Sequence, residues 1–465
     1  MTGTEWLDRL FTPSSIAVIG ASSYDLRGGG LLLKGLIKNK FKGKLYPVNP
    51  NQSEIMGLRS YPSILDIPGE VDLAVVAVSA RNVPQVIAQC SQKGVKFAIV
   101  HSVGFSELGT QGKELEEEML RAARQGGTRI IGPNCMGLYC PQVGINTIIA
   151  RLYLEDAAGS VAFLGQSGWL SGNFIHMGYE CGLRFSKVVS LGNQSDLTIE
   201  DFLEYFADDA ETKVIAGYIE GIKDGRKFLQ LARQISRRKP VIIWKAGNTR
   251  DGVKAAASHT GAMAGNSAVV NAALRQTGIA SAHHLEELID LAVGFSCPVL
   301  PSGNKVGLLV EAGGGAVASA DAYEALGLEM PTLSLETQKE IANLLQGVVP
   351  AIPSLRNPVD IVWVPAEHTV QAFLQSAEII LREVDAAVLI NYAPLDEYYA
   401  SKLANLRDEL GKPIFLIPGN PATQKPGMSL MVRYGIPTFT IPERALKVLS
   451  AMVRYSNYLR QSDDQ

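Results

Sequence analysis

The chain has 465 residues, 46% of them hydrophobic and 19% charged, which excludes a largely disordered protein and allows about two to four domains. Lys and Arg number 43 against 46 Asp and Glu, a formal charge of −3, so no basic surplus points to a nucleic-acid backbone. No run of about 18 apolar residues occurs, so no membrane span is expected.

The first third alternates short apolar runs with amphipathic stretches. Ser15–Gly20, Lys44–Val48, Leu73–Val78, Phe97–Val100 and Thr128–Ile131 read as strands, with Val83–Gln92 and Lys113–Gln125 as helices between them. Continuous buried strands alternating with helices predict a parallel sheet covered on both faces. The pattern restarts at Ser160–Gly165, followed by Val214–Ile219 and Val241–Trp244. It restarts again at Lys305–Val310, followed by Ala386–Ile390 and Pro413–Ile417. Breaks fall near 150–158 and near 298–304, where Cys297-Pro298 and Pro301-Ser302-Gly303 interrupt the periodicity. Three α/β domains are expected, at 1–150, 151–300 and 301–465, the third irregular around Pro350–Pro358.

The five cysteines, at 90, 135, 140, 181 and 297, match no zinc spacing and read as packing residues of a reduced, cytoplasmic chain. Met1–Trp6 has no basic segment leading into an apolar one, so no secretory leader is expected. No metal site is expected, because no pair of histidines with Cys or Asp has ligand spacing.

Three strands run into glycine-bearing turns ahead of a helix: Gly20-Ala21-Ser22-Ser23, Gly165-Gln166-Ser167-Gly168 and Glu311-Ala312-Gly313-Gly314-Gly315-Ala316. Open amides at a helix start suit an anionic ligand, and parallel sheets bind ligands at strand carboxyl ends. A tight turn with no ligand explains any single one equally well. None reads as a P-loop, and the first lacks the full dinucleotide spacing.

His259 stands among small residues, Ala255–Gly265. Such a segment can lie close to a phosphate or move between sites, and an imidazole suits nucleophilic work near neutral pH. A turn whose histidine only bonds backbone is the plain alternative. The other five histidines (His101, His176, His283, His284 and His368) receive that plain reading. A working imidazole needs an orienting carboxylate. Glu220, ending the run Tyr218-Ile219 before Gly221, is the candidate; Asp196 and Glu200 read as a helix cap and its first turn.

Taken together, Val18–Ser22, Pro47–Pro50, Ile131–Gly137, Gly165–Gly168, Tyr218–Gly221, Ser258–Gly261 and Asn357–Asp360 resemble the α subunit of the NDP-forming acyl-CoA synthetases. That group includes ADP-forming acetate–CoA ligase and belongs to the succinyl-CoA synthetase superfamily. The resemblance spans nearly the whole chain. It implies three Rossmann-like or flavodoxin-like domains, the first binding CoA through Gly20, Ala21, Ser22, Asn49 and Asn134. It implies that His259 is phosphorylated and that Glu220 supports it. Gln166, Ser167, Gly168 and Gly313, Gly314, Gly315 would hold phosphate. The implied reaction converts acyl-CoA, phosphate and ADP to acid, CoA and ATP through an acyl phosphate and a phosphohistidine. No ATP-grasp region stands among the three domains, so the resemblance implies a separate β subunit carrying the Mg-nucleotide, in a hetero-oligomer. The chain departs from the pattern at Trp169, read as a core residue in preference to a wall of the acyl pocket, and at Glu311, expected to face away from an anion or to reflect another acyl group.

Two competing readings stand beside this one. A noncatalytic acyl-CoA-binding regulatory protein would keep the fold but not need His259 and Glu220 intact. A nicotinamide dehydrogenase rests on the first turn alone and lacks its second glycine.

Overall fold

The computed structural model describes residues 3–247, 249, 251–252, 267–311, 313–314, 319 and 323–463. In chain order the strands are β1 (Ser15–Ile19), β2 (Lys44–Val48), the hairpin partners β3 (Glu54–Ile55) and β4 (Leu58–Arg59), β5 (Leu73–Val76), β6 (Phe97–Val100) and β7 (Arg129–Ile131). Then come β8 (Gly137–Cys140), β9 (Ile145–Asn146), β10 (Ala158–Gly165), β11 (Phe185–Ser190), β12 (Val214–Ile219), β13 (Val241–Lys245) and β14 (Ala280–Ala282). The last four are β15 (Val306–Val310), β16 (Val359–Asp360), β17 (Ala386–Asn391) and β18 (Ile414–Pro418).

They form three principal sheets, ordered β2-β1-β5-β6-β7, β14-β13-β12-β10-β11-β8-β9 and β16-β15-β17-β18. The first and third are parallel throughout. In the second only β8 and β9 run antiparallel, and this hairpin, although before residue 150, pairs with β11. Counted in chain order, the parallel strands of each sheet begin 2-1-3-4. Each sheet is therefore doubly wound, with a switch point between its first and third strands where crossovers diverge. The predicted Rossmann-like, flavodoxin-like class holds for all three. The reason is visible in β1: Ile16 and Val18 enter one core cluster, Ala17 and Ile19 another. Both faces are covered, so the strand is apolar without alternation.

Internal contacts group the chain into two units, residues 1–176 with 184–285, and 177–183 with 286–465. The first unit holds the first two sheets around a shared core. There Phe11 stacks on Tyr205 at 4.9 Å, and Tyr205 donates to Asp8 at 2.9 Å. The second holds the third sheet around Phe373, Leu389 and Tyr399. Residues 346–358 carry no helix or strand, as expected from their prolines.

One packing expectation fails. Cys90, Cys135, Cys140 and Cys297 are buried, but Cys181 is exposed in the turn just past the helix Gly168–Glu180. Burial pushes the Cys90, Cys135 and Cys140 thiols up to about 12. Among the described residues no helix is long and apolar enough to cross a membrane.

Candidate active site

The first switch point lies between β1 and β5. Gly20 ends β1 with φ +86°, and a Cβ there would stand 2.6 Å from the Ala77 carbonyl after β5. Only glycine fits both demands. The helix Gly28–Lys38 starts against the same turn: Cβ atoms on Gly29 and Gly30 would overlap the carbonyls of Gly20 and Tyr24. Ala21 is fully buried, and Ser22 Oγ donates to the Tyr24 carbonyl. Asn49, after β2, donates through Nδ2 to the Ala21 carbonyl at 2.7 Å and accepts the Asn51 amide through Oδ1 at 2.8 Å. The structure thus joins Gly20, Ala21, Ser22 and Asn49 in one crevice. Arg27 is exposed and lies over the Tyr24 ring at 5.7 Å.

The second switch point, between β10 and β12, brings Gln166 to Glu220. Gln166 is buried. Its Oε1 accepts the Glu220 amide and the Gly221 amide (2.9 Å for the latter), and its Nε2 donates to the Gly221 carbonyl at 3.0 Å. Every polar atom of that amide is engaged with the end of β12, so Gln166 sets backbone here. Ser167 accepts the Leu170 amide on Oγ and the Ser171 amide on its carbonyl, starting the helix Gly168–Glu180. Glu220 is buried; the Tyr218 hydroxyl hydrogen-bonds its carboxylate, and burial together with that charge pushes the Tyr218 phenol well above its usual range. Lys245, at the end of β13, donates to the Glu220 carbonyl at 2.9 Å; burial pulls its pKa below the ordinary lysine value while the Glu220 charge opposes that. A carboxylate, an ammonium and a helix N-terminus at one strand end can orient an imidazole and stabilise a phosphoryl group. His259 lies outside the described residues.

The carboxyl ends of the first two sheets meet. Asn134, after β7, has φ +56° and donates from Nδ2 to Asn193 Oδ1 at 3.3 Å, beyond β11. Asn193 Nδ2 in turn reaches Glu107 Oε2 at 2.6 Å, after β6. Met136, just before β8, donates its amide to Ser190 Oγ and packs on Gly168, where a Cβ would overlap Met136 Cγ. The ends of β6 and β7 are thus tied to the end of β11 and to the start of the helix Gly168–Glu180 within one unit. Two expectations are corrected here. Trp169 is no core residue: it is 73% exposed on the first turn of its helix, where Leu170 takes the buried side. Asp196 caps no helix; it accepts Arg129 Nε and the Ile130 amide, each at 2.8 Å, and Thr198 is the cap.

At the third switch point Glu311 is buried. Its Oε1 accepts the Val364 amide at 3.1 Å and its Oε2 the Tyr392 amide at 3.0 Å. The carboxylate binds two loops of its own unit together. A Cβ on Gly313 would stand 2.7 Å from Asp360 Oδ2, while Gly314 faces open space. Gly315 lies outside the described residues.

Sequence reasoning passes over Asn193, Glu107 and Tyr218. Tyr218 carries a legible signal, two residues before Glu220 and so on the same strand face. Asn193 and Glu107, 86 residues apart, carry none. Among the described residues no group of three His, Cys, Asp or Glu could hold a metal ion.

Comparison with known proteins agrees with this layout. A family described as CoA binding domain matches residues 14–141, and one described as succinyl-CoA ligase like flavodoxin domain matches residues 158–295. The chain is 36% identical to the α subunit of ADP-forming acetate–CoA ligase II of Pyrococcus furiosus, covering 96% of this chain and 97% of that one. It is 37% identical to ADP-forming acetate–CoA ligase I of Archaeoglobus fulgidus, covering 97% of this chain but 64% of that protein. The dinucleotide-forming acetyl-coenzyme A synthetase 1 of Ca. Korarchaeum cryptofilum, solved with phosphate and ADP, superposes with a TM-score of 0.85 at 34% identity, covering 98% of each chain.

Proposed function

The chain belongs to the ADP-forming acetate–CoA ligase family, and from that premise we propose that it is the α subunit of an ADP-forming acyl-CoA synthetase. The observation that carries the reading is the Gln166–Glu220 clamp at the second switch point, with Lys245 and the start of the helix Gly168–Glu180 beside it. It supports a phosphate-handling role for the start of that helix, at the second switch point.

In the proposed cycle phosphate attacks the thioester carbonyl of an acyl-CoA, and the C–S bond breaks to release CoA and leave an acyl phosphate. His259 then attacks phosphorus, displacing the carboxylate. The phosphohistidine passes its phosphoryl group to ADP. Gly20, Ala21, Ser22, Asn49 and Asn134 line the CoA side. Ser167 and Gly168 present helix amides to phosphate, and Gln166 fixes the strand end on which Glu220 meets His259. Gly313, Gly314 and Gly315 serve phosphate from the third domain. The domains run 1–150, 151–300 and 301–465. The Mg-nucleotide belongs to an ATP-grasp β subunit, consistent with the match to only 64% of the Archaeoglobus fulgidus relative. The chain works in the cytoplasm. Catalysis rests on positioning and charge stabilisation.

The test supplies labelled phosphate and a panel of acyl-CoAs to the purified chain. Acid-labile label on wild type and none on His259→Ala is the expected result. No label with any acyl-CoA, while CoA still binds, would replace this reading with a noncatalytic acyl-CoA-binding protein.

A further inference from the structure

Lys245 ends β13 at a position that suits an apolar residue. β13 pairs in parallel with β12 in the register Ile215↔Val241, Gly217↔Ile243 and Ile219↔Lys245. Side chains alternate along a strand, so Val241, Ile243 and Lys245 share one face of the sheet. Val241, Ile243 and Ile219 belong to the core on that face. Lys245 is nonetheless only 7% exposed. A buried ammonium costs stability that an apolar side chain in its place would not. Two hydrogen bonds offset part of that cost: Nζ donates to the Glu220 carbonyl at 2.9 Å and to the Ala246 carbonyl at 2.5 Å.

The two carbonyls belong to different segments. Glu220 follows β12; Ala246 follows β13, and the chain runs on from it in sequence to His259. Ala246 also donates its amide to the Ile219 carbonyl at 2.8 Å. Glu220 is held at both backbone groups, its amide by Gln166 and its carbonyl by Lys245. On the opposite face of the sheet the Tyr218 and Trp244 rings meet edge to face at 4.8 Å. The ends of β12 and β13 are therefore clasped from both faces. From this arrangement we propose that Lys245 is a positioning residue for phosphoryl transfer, holding the backbone of Glu220 in register with the segment that leads to His259. The inference rests on the roles proposed above for Glu220 and His259 and adds a residue to them. Lys245 acts through Glu220. A carboxylate displaced by about 1 Å is enough to slow transfer about a hundredfold, whereas the core face of β13 has room for an unbranched apolar side chain in place of the lysine.

The test compares wild type, Lys245→Met and Lys245→Gln as full chains, given labelled phosphate with acetyl-CoA, propionyl-CoA or phenylacetyl-CoA. Lys245→Met keeps the reach of the side chain and loses its donors. Its rate of self-phosphorylation at saturating acyl-CoA should fall by about 10- to 100-fold. Its Kd for CoA, from calorimetry, should stay at the wild-type value. Its urea midpoint should also hold, because removing the buried charge offsets the two lost bonds. Lys245→Gln, which keeps an N–H donor, should recover part of the rate, and it provides the same readouts if the methionine chain fails to fold. A wild-type rate in Lys245→Met overturns the proposal. So does a loss of rate matched by equal losses of CoA affinity and stability, since the lysine then serves the fold alone. A wild-type chain that binds CoA but takes no label overturns the underlying phosphohistidine reading, and the positioning role falls with it. A labelled wild type with an unaffected Lys245→Met removes the positioning role only.

Discussion

The side chain of Gln166 holds the backbone of Glu220 in place: one amide oxygen accepts the Glu220 and Gly221 amides, and the amide nitrogen returns a bond to the Gly221 carbonyl. Gln166→Ala removes all three partners at a buried position. The expected cost is about 3 kcal/mol of stability, read from urea unfolding. Phosphorylation of the chain should slow far more than its KM for acyl-CoA rises, because the carboxylate loses its position while the CoA crevice is untouched. Equal changes in both parameters would argue that the clamp serves stability alone.

Gly30 makes a second prediction. Its hydrogen faces the Tyr24 carbonyl so closely that a methyl group has no room. Gly30→Ala must push the helix Gly28–Lys38 off the Gly20 turn, at a cost of about 2 kcal/mol from overpacking. CoA affinity should drop at least as strongly as stability, measured by titration calorimetry. Gly28→Ala is a poor control, since Gly28 has φ +59°.

Glu311 should be structural. Its carboxylate is committed to the Val364 and Tyr392 amides, the first buried and the second partly so, so Glu311→Ala leaves both donors without that partner, at about 2 kcal/mol in total. Hydrogen exchange at both amides should accelerate together. Retained protection at either one would contradict the assignment.

His101 predicts an acid limb of stability. It sits after β6 with Nε2 buried and without a partner, and burial lowers its pKa to about 4. The folded state therefore keeps it neutral, while the unfolded chain takes up a proton below about 6.5. The stability associated with neutral His101 is complete above that value and is lost as pH falls towards 4. A difference of this size corresponds to about 3 kcal/mol. His101→Leu should flatten the urea stability profile between pH 7 and 4 by that order. An unchanged slope would show that the carboxylates alone set acid sensitivity.

Much of the fold is legible in the residues themselves. Strands such as Leu73–Val76 are apolar throughout because both faces are covered, and turns such as Gly20 announce themselves because φ +86° excludes other residues. The candidate site is legible only in part. Glu220 stands out at a strand end, but the three bonds that Gln166 makes to the end of β12 leave no trace in the sequence. Trp169 reads as core from its hydrophobicity, whereas its exposure follows from the helix turning the next residue, Leu170, inward.

The sequence by itself therefore determined three doubly wound sheets, their glycine turns and the family to which the chain belongs, since each follows from local periodicity or from motifs read in order. Tertiary structure alone decided that Asn134 meets Asn193, that Glu311 joins two loops, and that Met136 packs on Gly168. Those pairings depend on which strand ends converge, and the energy that selects them comes from burial and hydrogen bonds between residues far apart in the chain.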